Sequence, residues 1–138
     1  MRVLIVDDEP MLAKMLQRML TVDGHAVTSC TDGEQALEYF GRGQFDLVLT
    51  DLSMPEMNGW EVARAIRADR PDQPIAFLTG WGQQLDEAQM TALDVRYVLA
   101  KPFRREDLRQ LVLRAAAAPG ALQGGPGRAD EAAQGEER

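Results

Sequence analysis

Apolar residues in this chain fall into two kinds of run, and the two alternate. Val3-Leu4-Ile5-Val6, Leu47-Val48-Leu49 and Ala76-Phe77-Leu78 are short and unbroken, the pattern of strands covered on both faces. Between them, apolar residues recur every three or four positions. Leu12, Met15, Leu16, Met19 and Leu20 follow Pro10, which suits a first helical turn. Asp23-Gly24 stops that helix, and His25 to Cys30 alternates like a half-exposed edge strand. Gly33 to Phe40 predicts a short second helix with Ala36, Leu37 and Phe40 on one face, ended by Gly41 and Gly43. Trp60, Ala63 and Ile66, with Val62 and Ala65, describe a third helix closed off by Pro71 and Pro74. Gln84 to Leu93 is a weaker fourth helix with a small apolar face of Leu85, Ala88 and Ala92. Tyr97 to Ala100 reads as the last strand, and Leu108, Leu111, Val112 and Ala115 mark the last helix.

Five strand–helix units with short connections predict an α/β fold, a doubly wound parallel sheet with helices on both faces. The carboxyl ends of such strands share one edge, where ligand sites form. Four of the runs reach that edge at Asp7-Asp8-Glu9, Asp51, Thr79 and Lys101-Pro102. Asp7, Asp8, Asp51, Thr79 and Lys101 are therefore expected in a single cleft. Three carboxylates beside one ammonium suit a divalent cation together with a phosphoryl group. Taken singly, each element has a plainer reading: Asp-Asp-Glu caps a helix, Asp51 forms a turn, and Lys101-Pro102 begins one. Falling in order on successive strand ends, they favour a shared site.

Composition narrows the possibilities. The 138 residues, 45% of them apolar, suffice for one domain with a real core. A net charge of −7 argues against nucleic acid as the main partner. Only Lys14 and Lys101 are lysines among 15 basic residues. The single cysteine, Cys30, excludes an internal disulfide framework and a cysteine-based zinc site. No apolar stretch approaches membrane-spanning length, and no secretory signal precedes the first strand; a cytoplasmic protein with no membrane partner is expected. From Pro119 the chain turns to glycine, alanine, proline and charge, with Leu122 its one large apolar residue. Such a segment cannot offset its ordering entropy by burial, so the expected division is a domain over 1–117 and a disordered tail over 118–138.

With these positions in hand, the sequence resembles the response-regulator receiver domains of two-component signalling. The resemblance rests on Val6-Asp7-Asp8-Glu9, on Thr50-Asp51-Leu52-Ser53-Met54-Pro55 with Gly59, on Leu78-Thr79-Gly80 and on Lys101-Pro102-Phe103. The steps of 43 residues from Asp8 to Asp51, 28 to Thr79 and 22 to Lys101 suit that family. It implies a flavodoxin-like sheet of five parallel strands in the order 2-1-3-4-5 with five helices. It implies Asp51 as the nucleophile taking a phosphoryl group from a histidine kinase or phosphotransfer protein. Thr79 would donate its hydroxyl to a phosphoryl oxygen, and Lys101 would balance charge beside a cis bond to Pro102. Mg²⁺ would be held by Asp8 and Asp51, by the Ser53 backbone carbonyl and, through water, by Asp7. The implied protein is a switch rather than an enzyme in the ordinary sense, assisting its own phosphorylation and dephosphorylation. Lacking an output domain, it would signal through the face of the fourth helix, fifth strand and fifth helix, about Gln84 to Ala115.

Some positions depart from the family's pattern. The slot three residues before the lysine usually holds an aromatic that swings inward on phosphorylation; here it holds Val98, with Tyr97 on the opposite face of the strand. Gly80 replaces the usual alanine, and Asp94 stands where a helix-ending glycine is common. Ser53 and Trp81 flank the expected approach of a hydrolytic water, and neither suits its orientation, which predicts slow self-dephosphorylation. An aspartyl-phosphate hydrolase of the haloacid-dehalogenase kind would want an aspartate where Ser53 stands. A flavodoxin-like nucleotide binder would not carry Asp7-Asp8-Glu9 at its phosphate loop. A receiver fragment of a larger regulator or hybrid kinase is the remaining alternative. His25 and Cys30 read as structural, Arg104-Arg105 as a solvated helix start, and Met11, Met15 and Met19 as core or helix-flank residues.

Overall fold

The structure is a computed structural model that describes residues 1–80 and 84–117. Five strands alternate with five helices: β1 (Arg2–Val6), α1 (Pro10–Val22), β2 (Ala26–Cys30), α2 (Gly33–Arg42), β3 (Leu47–Asp51), α3 (Gly59–Asp69), β4 (Ile75–Thr79), α4 (Glu87–Leu93), β5 (Tyr97–Ala100) and α5 (Arg105–Ala117). All strand pairs are parallel, and the order is β2-β1-β3-β4-β5. This is the expected doubly wound, flavodoxin-like arrangement. Placing β1 and β3 side by side while β2 lies outside them reverses the winding direction there, which opens the crevice at their carboxyl ends.

Two apolar layers hold the sheet, one per face. Leu4, Val6, Val48, Ile75 and Phe77 point to α2 and α3, where Ala36, Phe40, Val62, Ala63 and Ile66 meet them. Their neighbours in the strands, Val3, Ile5, Leu47, Leu49, Ala76 and Leu78, point to α1 and α5, against Leu16, Leu20, Leu108 and Leu111. A strand buried on both sides has no polar position to alternate with, which is why β3 and β4 are buried at all five residues. Burying each large aliphatic side chain contributes about 2 kcal/mol, so the sheet is the rigid part on which the cleft is mounted.

Local signals end most elements. Asp32 accepts a hydrogen bond from the Gln35 amide at the start of α2, and Asn58 and Glu61 form a reciprocal capping box on α3. Several boundaries differ from the sequence expectation. Gly41 lies inside α2, and Gly43 alone ends it. Asp51 and Thr79 are the last residues of their strands, not the first of the following loops. α4 begins at Glu87, capped by Asp86, so Leu85 precedes it; Ala88 and Ala92 are exposed, and Met90 and Leu93 pack on the core instead. Met11 and Met15 are exposed, at 84% and 45%, because Ala13, Leu16 and Leu20 form the buried stripe of α1. Cys30 is buried with its thiol directed to the Ile5 carbonyl. Among the described residues no helix is long and apolar enough to cross a membrane. The expected tail over 118–138 and the Trp81 shield lie outside the described residues.

Candidate functional site

Strand register delivers the site. β1 pairs with β3 up to Val6 and Thr50, so Asp7 follows one strand end and Asp51 closes the next. β3 pairs with β4 at Asp51 and Leu78, and β4 with β5 at Thr79 and Ala100. Asp7 is thus level with Asp51, and Thr79 and Lys101 each lie one residue further along the same edge. The Lys101 amide then donates to the Thr79 carbonyl at 2.7 Å, and the Lys101–Pro102 bond is cis as expected.

Carboxylate oxygens of Asp7, Asp8 and Asp51 lie within 4.8 Å of one another. Asp7 is fully buried and Asp51 nearly so, whereas Asp8 is exposed. Lys101 reaches in from the far side, its Nζ 3.2 Å from Asp7 Oδ2 and 3.5 Å from Asp51 Oδ2. Asp7 Oδ1 accepts from the Glu9 amide at 2.9 Å, and Asp51 Oδ1 accepts from the Ser53 amide at 3.3 Å. Asp7 Oδ2 is different: the ammonium is at ion-pair distance, but no donor reaches it in hydrogen-bond geometry. Two such carboxylates repel by roughly 3–4 kcal/mol at an effective dielectric near 20. One lysine cannot neutralise three, and a second positive charge between them is the chemistry this donor set lacks.

Burial, with the Asp7 carboxylate second, pushes the Asp51 carboxyl up to about 6, against the pull of Lys101 and the Ser53 amide; Asp8 adds a smaller push. Burial works against the charge of Lys101, but Asp51 and Asp7 outweigh it and hold the ammonium above its ordinary value. The carboxylate that β3 presents is thus more basic than an ordinary aspartate and still ionised at neutral pH.

The backbone beneath Asp51 is fixed from below by Gly59, at the first turn of α3. Its amide donates to the Leu52 carbonyl at 2.9 Å. A Cβ at this position would lie 2.4 Å from the Asp51 carbonyl oxygen and 2.8 Å from the Leu52 Cα. Only glycine lets the helix approach so closely. Gly33 plays a similar part at α2, where a Cβ would meet the Met57 side chain at 2.8 Å. Gly59 was legible only as part of the motif, and Gly33 only as a helix start; the close approaches depend on two elements meeting.

Ser53 is exposed at the cleft rim, and Thr79 is buried at the end of β4. Val98 pairs with Phe77 across β4 and β5, while Tyr97 packs on the opposite layer under the Arg114 guanidinium. No aromatic residue occupies the register position three before Lys101. His25 sits against the amino terminus, 2.9 Å from Nδ1, away from the cleft.

Known proteins place this geometry. The sequence profile of the response regulator receiver domain matches residues 3–113. The transcriptional regulatory protein DltR of Streptococcus agalactiae is 35% identical over 108 residues, 78% of this chain and 48% of that protein. GlrR of Escherichia coli is also 35% identical, over 79% of this chain and 24% of its own length. The chain therefore spans about half or less of these curated relatives. Among solved structures, the response regulator TrrA of Thermotoga maritima, in complex with Mg²⁺–BeF, is 32% identical with a TM-score of 0.76, over 83% of this chain and 97% of that one. The same protein in complex with the histidine kinase ThkA gives a TM-score of 0.74. The chemotaxis protein CheY4 of Vibrio cholerae is 29% identical with a TM-score of 0.77, over 83% and 97%. With its acidic cluster on the carboxyl edge of a 2-1-3-4-5 sheet, this chain belongs to the response regulator receiver domain family.

Proposed function

We propose that this chain is a phosphoacceptor switch, taking a phosphoryl group from a histidine kinase or phosphotransfer protein onto Asp51. The observation that carries the reading is Asp51 itself. It is a nearly buried carboxylate at the end of the central strand, with Lys101 at 3.5 Å and Asp7 and Asp8 beside it. An Asp51 oxygen attacks phosphorus as the bond to the donor imidazole breaks, and the leaving nitrogen keeps the electron pair. Raised basicity makes the carboxylate a better nucleophile, while ionisation at neutral pH keeps it available. Lys101, already directed between Asp7 and Asp51, balances charge on the transferred oxygens, and the Thr79 hydroxyl donates to one of them. Gly59 and the Asn58–Glu61 box keep the acceptor strand from shifting.

The residues fit Mg²⁺. Asp7, Asp8 and Asp51 with the Ser53 backbone carbonyl would hold it, and the Asp7 oxygen without a hydrogen bond is a natural recipient of its charge. When bound, the ion supplies positive charge to the phosphoryl oxygens and relieves the repulsion among the three carboxylates. The Mg²⁺–BeF complex of TrrA supports this assignment, and the ThkA complex supports a kinase partner. Residues 1–117 carry this chemistry as one domain. The output is a binding face of α4, β5 and α5, and a cytoplasmic setting follows from the kinase partner.

Incubation with a small phosphodonor and Mg²⁺ should add one phosphoryl mass to the native chain and none to Asp51→Asn. Equal labelling of the variant, or none of the native chain, would overturn the reading.

A further inference from the structure

Arg67, in the last turn of α3, directs all three nitrogens of its guanidinium to backbone carbonyls. Nε donates to Leu93 at 2.8 Å, Nη1 to Pro71 at 2.8 Å and Arg70 at 3.1 Å, and Nη2 to Asp94 at 3.4 Å. Leu93 and Asp94 are the last residue and the C-cap of α4, so the arginine satisfies carbonyls that a helix end leaves without partners. It also closes the end of its own helix, whose C-cap is Arg70. Asp94 has a left-handed backbone, φ 55°, a conformation that costs a residue with a side chain. Its carboxylate is tied to Arg96 at 2.9 Å, and Val95 donates back to the Met90 carbonyl. The carboxyl end of α4 is therefore bolted to α3 and closed by its own local hydrogen bonds.

Its amino end is tied more weakly among the described residues, by half-buried Leu85 on the core layer just before the cap. α4 has seven residues and none is buried, and a helix that short does not persist unaided. The Asp86 cap is exposed, as are Glu87 and Ala88; Arg64 to Gln89, at 3.0 Å, is a surface hydrogen bond. This end connects through a few residues to Thr79 in the cleft. Along β5, position 98 holds valine in place of an aromatic, and Tyr97 faces the other layer.

We propose that Arg67 is the pivot of α4, a positioning residue that holds the helix's carboxyl end while a change at Thr79 moves its amino end. This rests on the phosphoacceptor reading for its trigger, whereas the clamp itself does not. The fork of a guanidinium is what the role requires: four carbonyls converge on one planar group, and an ammonium cannot reach them together.

Amide hydrogen exchange on the full chain tests both halves. At rest, Arg67→Ala should speed exchange at the amides of Asp94 and Val95 by about tenfold or more, as charge-assisted hydrogen bonds are lost. Arg67→Lys should restore only a small part of the protection, and neither variant should change labelling by a phosphodonor by more than about twofold. On labelling, the native chain should change exchange over 84–90 but not at 94–95, and Arg67→Ala should change both. Unchanged resting exchange in Arg67→Ala, full rescue by lysine, or equal changes at both ends of native α4 would overturn the pivot. A native chain that takes no phosphoryl group would overturn the phosphoacceptor reading instead, and the resting comparison would still decide the clamp.

Discussion

Lys101 bridges two carboxylates unequally: its Nζ is 3.2 Å from Asp7 Oδ2 at ion-pair distance and donates a hydrogen bond to Asp51 Oδ2 at 3.5 Å. Asp7 is fully buried and has no other cation near it among the described residues, so removing the lysine leaves a buried charge unpaired. Breaking a buried pair costs several kcal/mol, less where one partner is partly exposed, as Lys101 is. Lys101→Ala should lose about 2 kcal/mol in chelator-treated solution by urea denaturation, and a smaller amount with saturating Mg²⁺. Equal losses under both conditions would separate the lysine from the metal.

Mg²⁺ itself should stabilise the fold. At ten times its dissociation constant the linkage gain is about 1.4 kcal/mol. Thermal melts with Mg²⁺ should exceed those in NaCl of matched ionic strength, and Asp8→Ala should remove most of the difference. Coincident melts of the native chain would count against the metal site.

Without metal, stability should depend on Asp51 in a defined direction. Its folded pKa of about 6 lies above the ordinary value of 3.8, so the folded state binds the proton more tightly. The Asp51 contribution is then fully present below pH ~4, is lost as pH rises through 4 to 6, and levels above that, by on the order of 2–3 kcal/mol. Chemical denaturation across this window in a chelator should show the fall, and Asp51→Asn should flatten it. A slope that survives the substitution belongs to another group.

Gly59→Ala should damage both stability and chemistry. A methyl placed 2.4 Å from the Asp51 carbonyl oxygen must push α3 or β3 aside, at a cost on the order of 2–3 kcal/mol. Phosphodonor labelling should slow by about tenfold as the acceptor shifts. Gly41→Ala, with open space around its Cβ, is the control and should do neither.

Sequence carried the sheet and the cleft because both are written in contiguous residues. A strand buried on two faces must be an unbroken apolar run, and three such runs with two less buried strands, in alternation with helices, admit few topologies. Asp7, Asp51, Thr79 and Lys101 each end or follow a run, so locating the strands located them. α4 was misread for a physical reason. Ala88 and Ala92 add too little apolar area to set which way a helix faces, and Met90 and Leu93 decide it by packing, with Leu85, on the layer of α2 and α3. In α1, four leucines and methionines beside Leu16 and Leu20 compete for a stripe that holds three buried positions, and Met11 and Met15 lose to Ala13, Leu16 and Leu20. Arg67 was invisible because its partners are carbonyls contributed by two other segments, and a backbone carbonyl has no letter in a sequence.

Cys30 has a use that its burial creates. Desolvation, with Asp32 second, pushes its thiol up to about 12, so almost none of it is thiolate at neutral pH. Maleimide and methanethiosulfonate reagents should pass it by. A spin label or fluorophore can then be attached at one engineered surface cysteine, on the exposed Ala88 or Ala92 of α4 for instance, without first replacing the native sulfur in the core.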